Sequence, residues 1–395
     1  MTDLETRAPG RAGALRRAAP ALLGYAAVRA LGLLALALWS AARDKSAYTL
    51  LTARWDSLWY TRVAELGYGY EVRLPNGDVH SNLAFFPLLP WLERLGAAAG
   101  PLSYADAGFV VSLLASLAAA WGIFAVAEHV YGRRAAVCAV LLWAVLPVGI
   151  VQSMAYSESL FTALAAWSLY AVLTGRWVTA GTLAALAGLT RPVGLAVTAA
   201  VWVAAIAPFV RSRSEVAADG AHGTERAPGE GARRALGVLL APLGAAGYVL
   251  WVGHRTGKGP LGYLDVQAGW RNGFDGGLAF ARFTAEKFTS FPSALAGVGL
   301  VVGVALLVRL YVACVRQRQP LALLVYAGTV AVLALCASSY FGSKPRLLLP
   351  AFPLLLPLAV ALARLRTSRS ALVVGAVAVA SAVYGAFWLN GSGPP

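Results

Sequence analysis

Of the 395 residues, 59% are hydrophobic and only 13% are charged, and the formal net charge is +15. A soluble domain carries about 25% charged residues, so this composition excludes a soluble globular enzyme and requires a polytopic, all-helical membrane protein. The Lys and Arg residues lie at the ends of apolar runs instead of on one face, which excludes a nucleic-acid surface and leaves membrane lipids as partners.

The chain begins with a basic tail, residues 1–20, in which Arg7, Arg11, Arg16 and Arg17 precede an apolar run from about Ala21 to Trp39. That run approaches the ~20 residues a membrane helix needs. It is too long for a signal core and lacks a small-residue cleavage site, so it reads as a retained span. Runs of this kind predict eleven spans, near 21–41, 105–129, 135–152, 159–174, 177–190, 193–210, 235–253, 291–312, 320–339, 347–363 and 370–389, within one transmembrane domain, 21–395. With the N-terminus cytoplasmic, more than half of the 33 Lys and Arg residues fall on short cytoplasmic segments, as the positive-inside rule requires. The reading is a multi-pass protein of the cell (plasma) membrane. Arg29, inside the first span, is simplest to read as snorkelling toward the cytoplasmic headgroups.

The first external segment, 42–104, holds "RWDSLWYTRVAEL" at 54–66. Trp55, Trp59, Arg62 or Val63, and Leu66 recur at helical spacing, while Asp56, Ser57 and Tyr60 lie on another face. The pattern predicts a helix lying in the interface with its tryptophans at headgroup depth. "GYGYEVRLPNGDVHS" follows as a turn-rich stretch, and "NLAFFPLLPWLERLGAAAG" as a second interfacial helix broken by Pro87 and Pro90. An aspartate pinned between aromatics at the membrane surface can act as general base on a substrate hydroxyl, given partial desolvation and one-sided access. The competing account is an ion pair with Arg54 or Arg62 on a solvated helix face. A second carboxylate is not fixed by spacing: Glu65, Glu71 and Asp78 all qualify.

Further along, "AYSESLF" places Ser157 and Glu158 at the outer mouth of the fourth span, and "TRPVG" places Arg191 at an outer turn. The 211–234 segment, polar and rich in Gly and Ala, reads as a flexible cytoplasmic loop. The 254–290 segment, with Arg271, is Gly-rich and aromatic and lacks P-loop spacing, so it reads as an external acceptor-side or lid loop. "GSKPRLLLP" brings Lys344 and Arg346 to the same outer face. Arg suits a leaving phosphate bidentately and Lys as a point charge; headgroup snorkelling is the alternative for each.

"ARWDSLWY" (53–60), "GY" (67–68), "AFFPLLP" (84–90), "AYSESLF" (155–161), "TRPVG" (190–194) and "KPRLLLPAFPLLLPLA" (344–359) together resemble the PIG-V mannosyltransferases, in family order. The family includes the second mannosyltransferase of GPI-anchor synthesis and many actinobacterial relatives, and the Ala-, Arg- and Gly-rich composition fits a bacterial one. The resemblance implies the C-type glycosyltransferase fold, with Asp56 as catalytic acid in the first external loop and a polyprenyl-phosphate sugar, polyprenyl-phosphate mannose, as donor. It also implies one inverting displacement. Trp55, Trp59, Tyr60, Glu158, Arg191, Lys344 and Arg346 are the candidate substrate contacts, with Glu158 orienting an arginine or the acceptor.

Three rivals stand beside this reading: a lipid-linked sugar flippase or transporter, a surface-glycan polymerase or ligase, and a non-catalytic assembly subunit. The first would need charged residues deep in several spans. No metal site is expected: four scattered histidines lack ligand spacing, and Cys138, Cys314 and Cys336 sit in apolar settings. A divalent cation at Asp56 with Glu71, Asp78 or His80 is left open, with no spacing that demands it. Acceptor, linkage and oligomeric state are not written in the sequence.

Overall fold

A computed structural model of the chain describes residues 11–219, 229–338, 340–391 and 393. Helix α1 (Arg11–Ala41) is followed by α2 (Ala47–Thr52) and α3 (Asp56–Leu66). A short hairpin, β1 (Glu71–Arg73) and β2 (Val79–Ser81), then pairs Glu71 with Ser81 and Arg73 with Val79. Helix α4 (Leu88–Ala98) leads to α5 (Tyr104–Tyr131), α6 (Arg133–Ala144), α7 (Ser157–Leu173), α8 (Trp177–Gly188) and α9 (Leu195–Asp219). The second half holds α10 (Glu230–Leu240), α11 (Leu243–Thr256), α12 (Gly262–Gly269), α13 (Leu278–Glu286), α14 (Ser293–Arg316), α15 (Leu321–Cys336), α16 (Lys344–Leu347), α17 (Leu356–Arg364) and α18 (Thr367–Leu389).

The chain is a helical, polytopic membrane protein, and helix length and composition support five or six candidate spans. Among the described residues, five helices are long and apolar enough to cross a membrane: Gly13–Ala41, Tyr104–Tyr131, Glu230–Thr256, Ser293–Arg316 and Thr367–Leu389. A pair bent by 75°, Phe341–Leu347 with Phe352–Arg364, makes a sixth if it counts as one span. Ser157–Leu173, Trp177–Gly188, Pro192–Ala207 and Leu321–Cys336 are apolar but shorter. An apolar run need not be one straight helix. The stretch read as 135–152 stops being α-helical at Ala144, ahead of Pro147, and continues as a 3-10 turn, Gly149–Ser153.

That break also corrects the reading of Arg29. A helix stopped inside a membrane exposes carbonyls that water cannot satisfy. Arg29 is buried, and its guanidinium donates to the carbonyls of Ala144 and Gly149, with its carbon 5.9 Å from the Tyr25 ring centroid. It holds a broken helix end instead of snorkelling.

Three further segments gain detail. The N-terminal tail is helical from Arg11, and the 211–234 segment is helical up to Asp219 and again from Glu230. Residues 220–228 lie outside the described residues. The turn-rich stretch after α3 closes into the two-stranded hairpin around Asn76-Gly77, where Gly77 has φ 86°.

The core runs through α1, α5 to α9, α15, α17 and α18, and much of it is alanine: Ala119, Ala127, Ala139, Ala166, Ala184 and Ala200 are all buried. Small residues let helix backbones approach where lipid offers no hydrophobic drive between helices. At Gly181 on α8, a Cβ would sit 2.2 Å from the Gly237 carbonyl oxygen on α10, so only glycine fits that crossing. Trp143 stacks on Tyr25 at 5.4 Å and donates its indole N–H to the Leu349 carbonyl at 3.1 Å, joining α6 and α1 to the turn after α16.

Candidate active site

Asp56 opens α3, and the residue before it is forced into a backbone conformation that side chains seldom adopt: Trp55 has φ 54° and ψ −124°. Such a conformation costs about 1–3 kcal/mol and persists only where neighbours over-determine it. Here Ser57 Oγ accepts the Arg54 N–H at 3.0 Å and donates to the Arg54 carbonyl at 2.6 Å. The Arg54 guanidinium lies 4.2 Å from the Trp55 ring centroid and donates to the Leu389 and Gly391 carbonyls at the end of α18. Asp56 donates its own N–H to the Tyr156 hydroxyl at 3.3 Å.

Four charged side chains from four distant segments then meet in a row. Arg346 on α16 reaches Asp56 Oδ2 through Nη1 at 2.8 Å and Glu158 Oε1 through Nε at 3.2 Å. Arg191, just before the Pro192–Gly194 turn, reaches the same Glu158 oxygen through Nη1 at 2.6 Å. Asp56 and Glu158 sit in the first turns of α3 and α7, where the helix N-terminus favours a carboxylate. The order is acid, base, acid, base, so the formal charges cancel. Access is graded: the Glu158 side chain is 1% exposed, Arg346 8%, Arg191 14% and Asp56 26%. The site presents Asp56 outward and buries the charges behind it.

Tyr60, one turn along α3, shares a 2.7 Å hydrogen bond with Ser157 Oγ, which also accepts from Arg191 Nη1 at 3.2 Å. Burial pushes the Tyr60 phenol well up, so it stays protonated and ties α3 to the start of α7.

The other sequence candidates are placed differently. Asp56 pairs with neither Arg54 nor Arg62; the Arg62 guanidinium lies 4.5 Å from the Tyr70 ring centroid. Lys344 donates Nζ to the carbonyls of Ala334, Leu335 and Ala337 at 2.8, 3.4 and 2.7 Å, closing the end of α15. Trp59 is no lone headgroup anchor. It stacks on Phe85 at 5.6 Å and meets Trp270 edge-on at 4.8 Å and Tyr70 at 5.7 Å. Asp78 and His80 engage the 254–290 segment, Asp78 pairing with Arg271 at 2.6 Å and His80 stacking on Trp270 at 4.0 Å. The carboxylate brought to Asp56 through a shared arginine is Glu158, not Glu65, Glu71 or Asp78. Among the described residues, no group of three or more His, Cys, Asp or Glu could hold a metal ion.

Two residues with no singular mark in the sequence complete the picture. Tyr156 touches both Asp56, through its hydroxyl, and Arg346, which lies over its ring. Its sequence signal is its place in "AYSESLF", an aromatic directly before Ser-Glu at a helix start. Glu93 on α4 is fully buried against Gly108 of α5, where a Cβ would lie 2.5 Å from its Oε1. Neither carboxyl oxygen has a hydrogen-bond partner, and burial pushes its pKa up to about 9.

Comparison with known proteins follows the same ground. Residues 37–213 match the family described as mannosyltransferase (PIG-V), a range that includes Asp56, Tyr156, Glu158 and Arg191 but not Arg346. GPI alpha-1,6-mannosyltransferase 2 of Rattus norvegicus is 36% identical over 155 residues, and that of Mus musculus 35% over 155. Each match covers 36% of this chain and 29% of the relative, so the chain spans less than a third of the relatives it matches. Among solved structures, ArnT from Cupriavidus metallidurans bound to undecaprenyl phosphate aligns over 90% of this chain and 62% of its own, with a TM-score of 0.52 and 17% identity. That likeness is one of fold.

Proposed function

We propose, from the match of residues 37–213 to the PIG-V mannosyltransferases, that this protein is a membrane mannosyltransferase. It moves a mannose from polyprenyl-phosphate mannose to an acceptor on the extracytoplasmic face. The observation that carries the reading is the Asp56–Arg346–Glu158–Arg191 row. It puts an accessible carboxylate beside two oriented guanidiniums, as a base and a phosphate site require.

Asp56 takes the proton of an acceptor hydroxyl, whose oxygen attacks the anomeric carbon. The new glycosidic bond forms as the bond to the phosphate oxygen breaks, in one displacement that inverts the anomeric centre. Polyprenyl phosphate leaves with the electron pair. Its developing charge meets Arg346 and Arg191, which Glu158 holds in place. A phosphate that takes Arg346 Nη1 displaces Asp56 from it, so donor engagement and release of the base share one contact. Lys344 is assigned no part, since its ammonium closes α15. The 254–290 segment, stacked on the hairpin through Trp270 and His80, covers the acceptor side.

Two further facts support this reading. ArnT, the fold neighbour, was solved with undecaprenyl phosphate, a carrier of the donor's class. Arg29, the charge deep in a span on which a transporter reading would rest, is engaged by the Ala144 and Gly149 carbonyls.

The test is product analysis of cells with and without the protein. Loss of one mannose-bearing lipid or glycan, with its unmannosylated precursor accumulating, is the expected result. An unchanged set of mannosylated products would overturn the reading.

A further inference from the structure

We infer that Tyr156 is a positioning residue of the transfer site, setting Asp56 and Arg346 relative to each other; the inference rests on the role proposed for Asp56. Tyr156 is fully buried, and three parts of it touch three parts of the site. Its hydroxyl accepts the Asp56 backbone N–H at 3.3 Å, at the point where the strained Trp55 turn delivers the aspartate. Its ring lies under Arg346, whose guanidinium carbon is 5.0 Å from the centroid. Its chain continues directly into Ser157 and Glu158, the hydroxyl and carboxylate that hold Tyr60, Arg191 and Arg346.

The residue is itself anchored from both sides. Ser112 Oγ on α5 donates to the Tyr156 carbonyl at 3.0 Å, and its neighbour Ala155 donates N–H to the Leu51 carbonyl of α2 at 2.9 Å. The turn from Met154 to Tyr156 is thereby stapled to the bundle and to the first external loop at once. An aromatic that merely filled space there would need neither the hydroxyl contact nor the cation above its ring. The base and the guanidinium arrive from segments 290 residues apart in sequence, and the Tyr156 side chain contacts both.

The phenol and the ring have separable effects. Tyr156→Phe keeps the volume and the shelf under Arg346 but removes the acceptor for the Asp56 N–H. One such hydrogen bond corresponds to roughly a three- to tenfold effect. Tyr156→Leu removes the shelf as well. A desolvated cation–π contact corresponds to about tenfold or more, and this loss falls on the residue assigned to the donor phosphate.

The experiment uses the purified full-length chain in lipid nanodiscs. The donor is radiolabelled polyprenyl-phosphate mannose, and membranes from cells lacking the protein supply the acceptor. Initial rates are taken against donor concentration, with thermal unfolding measured alongside. Tyr156→Phe should lower kcat with donor KM unchanged and no matching loss of folded protein; Tyr156→Leu should raise donor KM in addition. Wild-type kcat in Tyr156→Phe overturns the inference, as does a loss of rate in both variants that only follows a loss of folded protein. Asp56→Asn, run in parallel, separates the two levels. If it transfers mannose normally, the base assignment fails and the positioning role with it. If it is inactive while Tyr156→Phe is normal, only the positioning role fails.

Discussion

Replacing Asp56 with Asn tests the chemistry with little disturbance of structure. The amide keeps nearly the same volume and an acceptor oxygen for Arg346 Nη1, now 2.8 Å from the carboxylate. The anchor to Tyr156 uses the backbone N–H and is untouched, and Arg346 keeps Glu158 at 3.2 Å. What changes in the fold is one ion pair losing its negative partner at a side chain 26% exposed. An ion pair open to solvent on one side is worth about 0–1 kcal/mol, so the cost is at most about 1 kcal/mol. What changes in the reaction is the proton acceptor. General-base catalysis contributes typically ~10²–10⁴-fold, or about 3–5 kcal/mol of barrier. The kinetic effect should exceed the stability effect severalfold. Thermal unfolding in nanodiscs and mannose transfer from polyprenyl-phosphate mannose, measured on one preparation, read both numbers. Expected is a folded protein that binds donor and scarcely transfers. A variant transferring within a fewfold of wild type would refute the base assignment and remove the reason for the phosphate assignment beside it.

Three other outcomes are expected. Arg346 engages two carboxylates through different edges, whereas Arg191 engages Glu158 and Ser157 through one nitrogen. Arg346→Lys should therefore cost more than tenfold in kcat/KM, since an ammonium is a point charge and loses the fork, and Arg191→Lys should cost less; equal losses in steady-state assays would contradict the two-edge account. Glu93 has a folded pKa near 9 against an ordinary 4.5, so its folded form binds the proton more tightly. Stability is then fullest below pH ~4.5 and falls as pH rises toward 9, by on the order of 3 kcal/mol at pH 7. Glu93→Gln should flatten the decline in unfolding temperature between pH 5.5 and 8.5, and a variant with the wild-type slope would show that Glu93 is not its source. For orientation, an impermeant thiol reagent applied to intact cells should label Glu71→Cys but not Ser368→Cys, both exposed positions, in a background with Cys336 replaced; the reverse pattern would invert the topology.

Composition and run length were enough to read a helical membrane protein from the sequence, because both depend on how much apolar surface the chain carries. They were not enough to read helix length. "LLWAVLPVGIVQS" is apolar throughout, yet the helix ends at Ala144, and the freed carbonyls take Arg29 from 115 residues away. The partner of Asp56 was hidden for the same reason. Periodicity offers Arg54 and Arg62 because they are near in sequence, but Arg54 is held by the carbonyls at the end of α18 and Arg62 by the Tyr70 ring. The side chain that does pair with Asp56 comes from the "KPR" segment, which the sequence places on the same face without showing which of its two cations enters the site: one closes a helix while the other pairs with Asp56.

That division has a physical cause. Lys344 stands at the start of α16 and turns back on the end of α15, where a flexible ammonium can serve three carbonyls at once. Arg346 points the other way, where two carboxylates on two helix ends call for a planar group with donors on separate edges. Removing either carboxylate alone leaves a buried guanidinium under-compensated, a change that typically costs about 3–5 kcal/mol. For Glu158, 1% exposed and shared by both arginines, that cost falls on folding. For Asp56, open to solvent on one side, water can replace the lost oxygen. The residue nearest the surface is thus the one the fold can spare for chemistry.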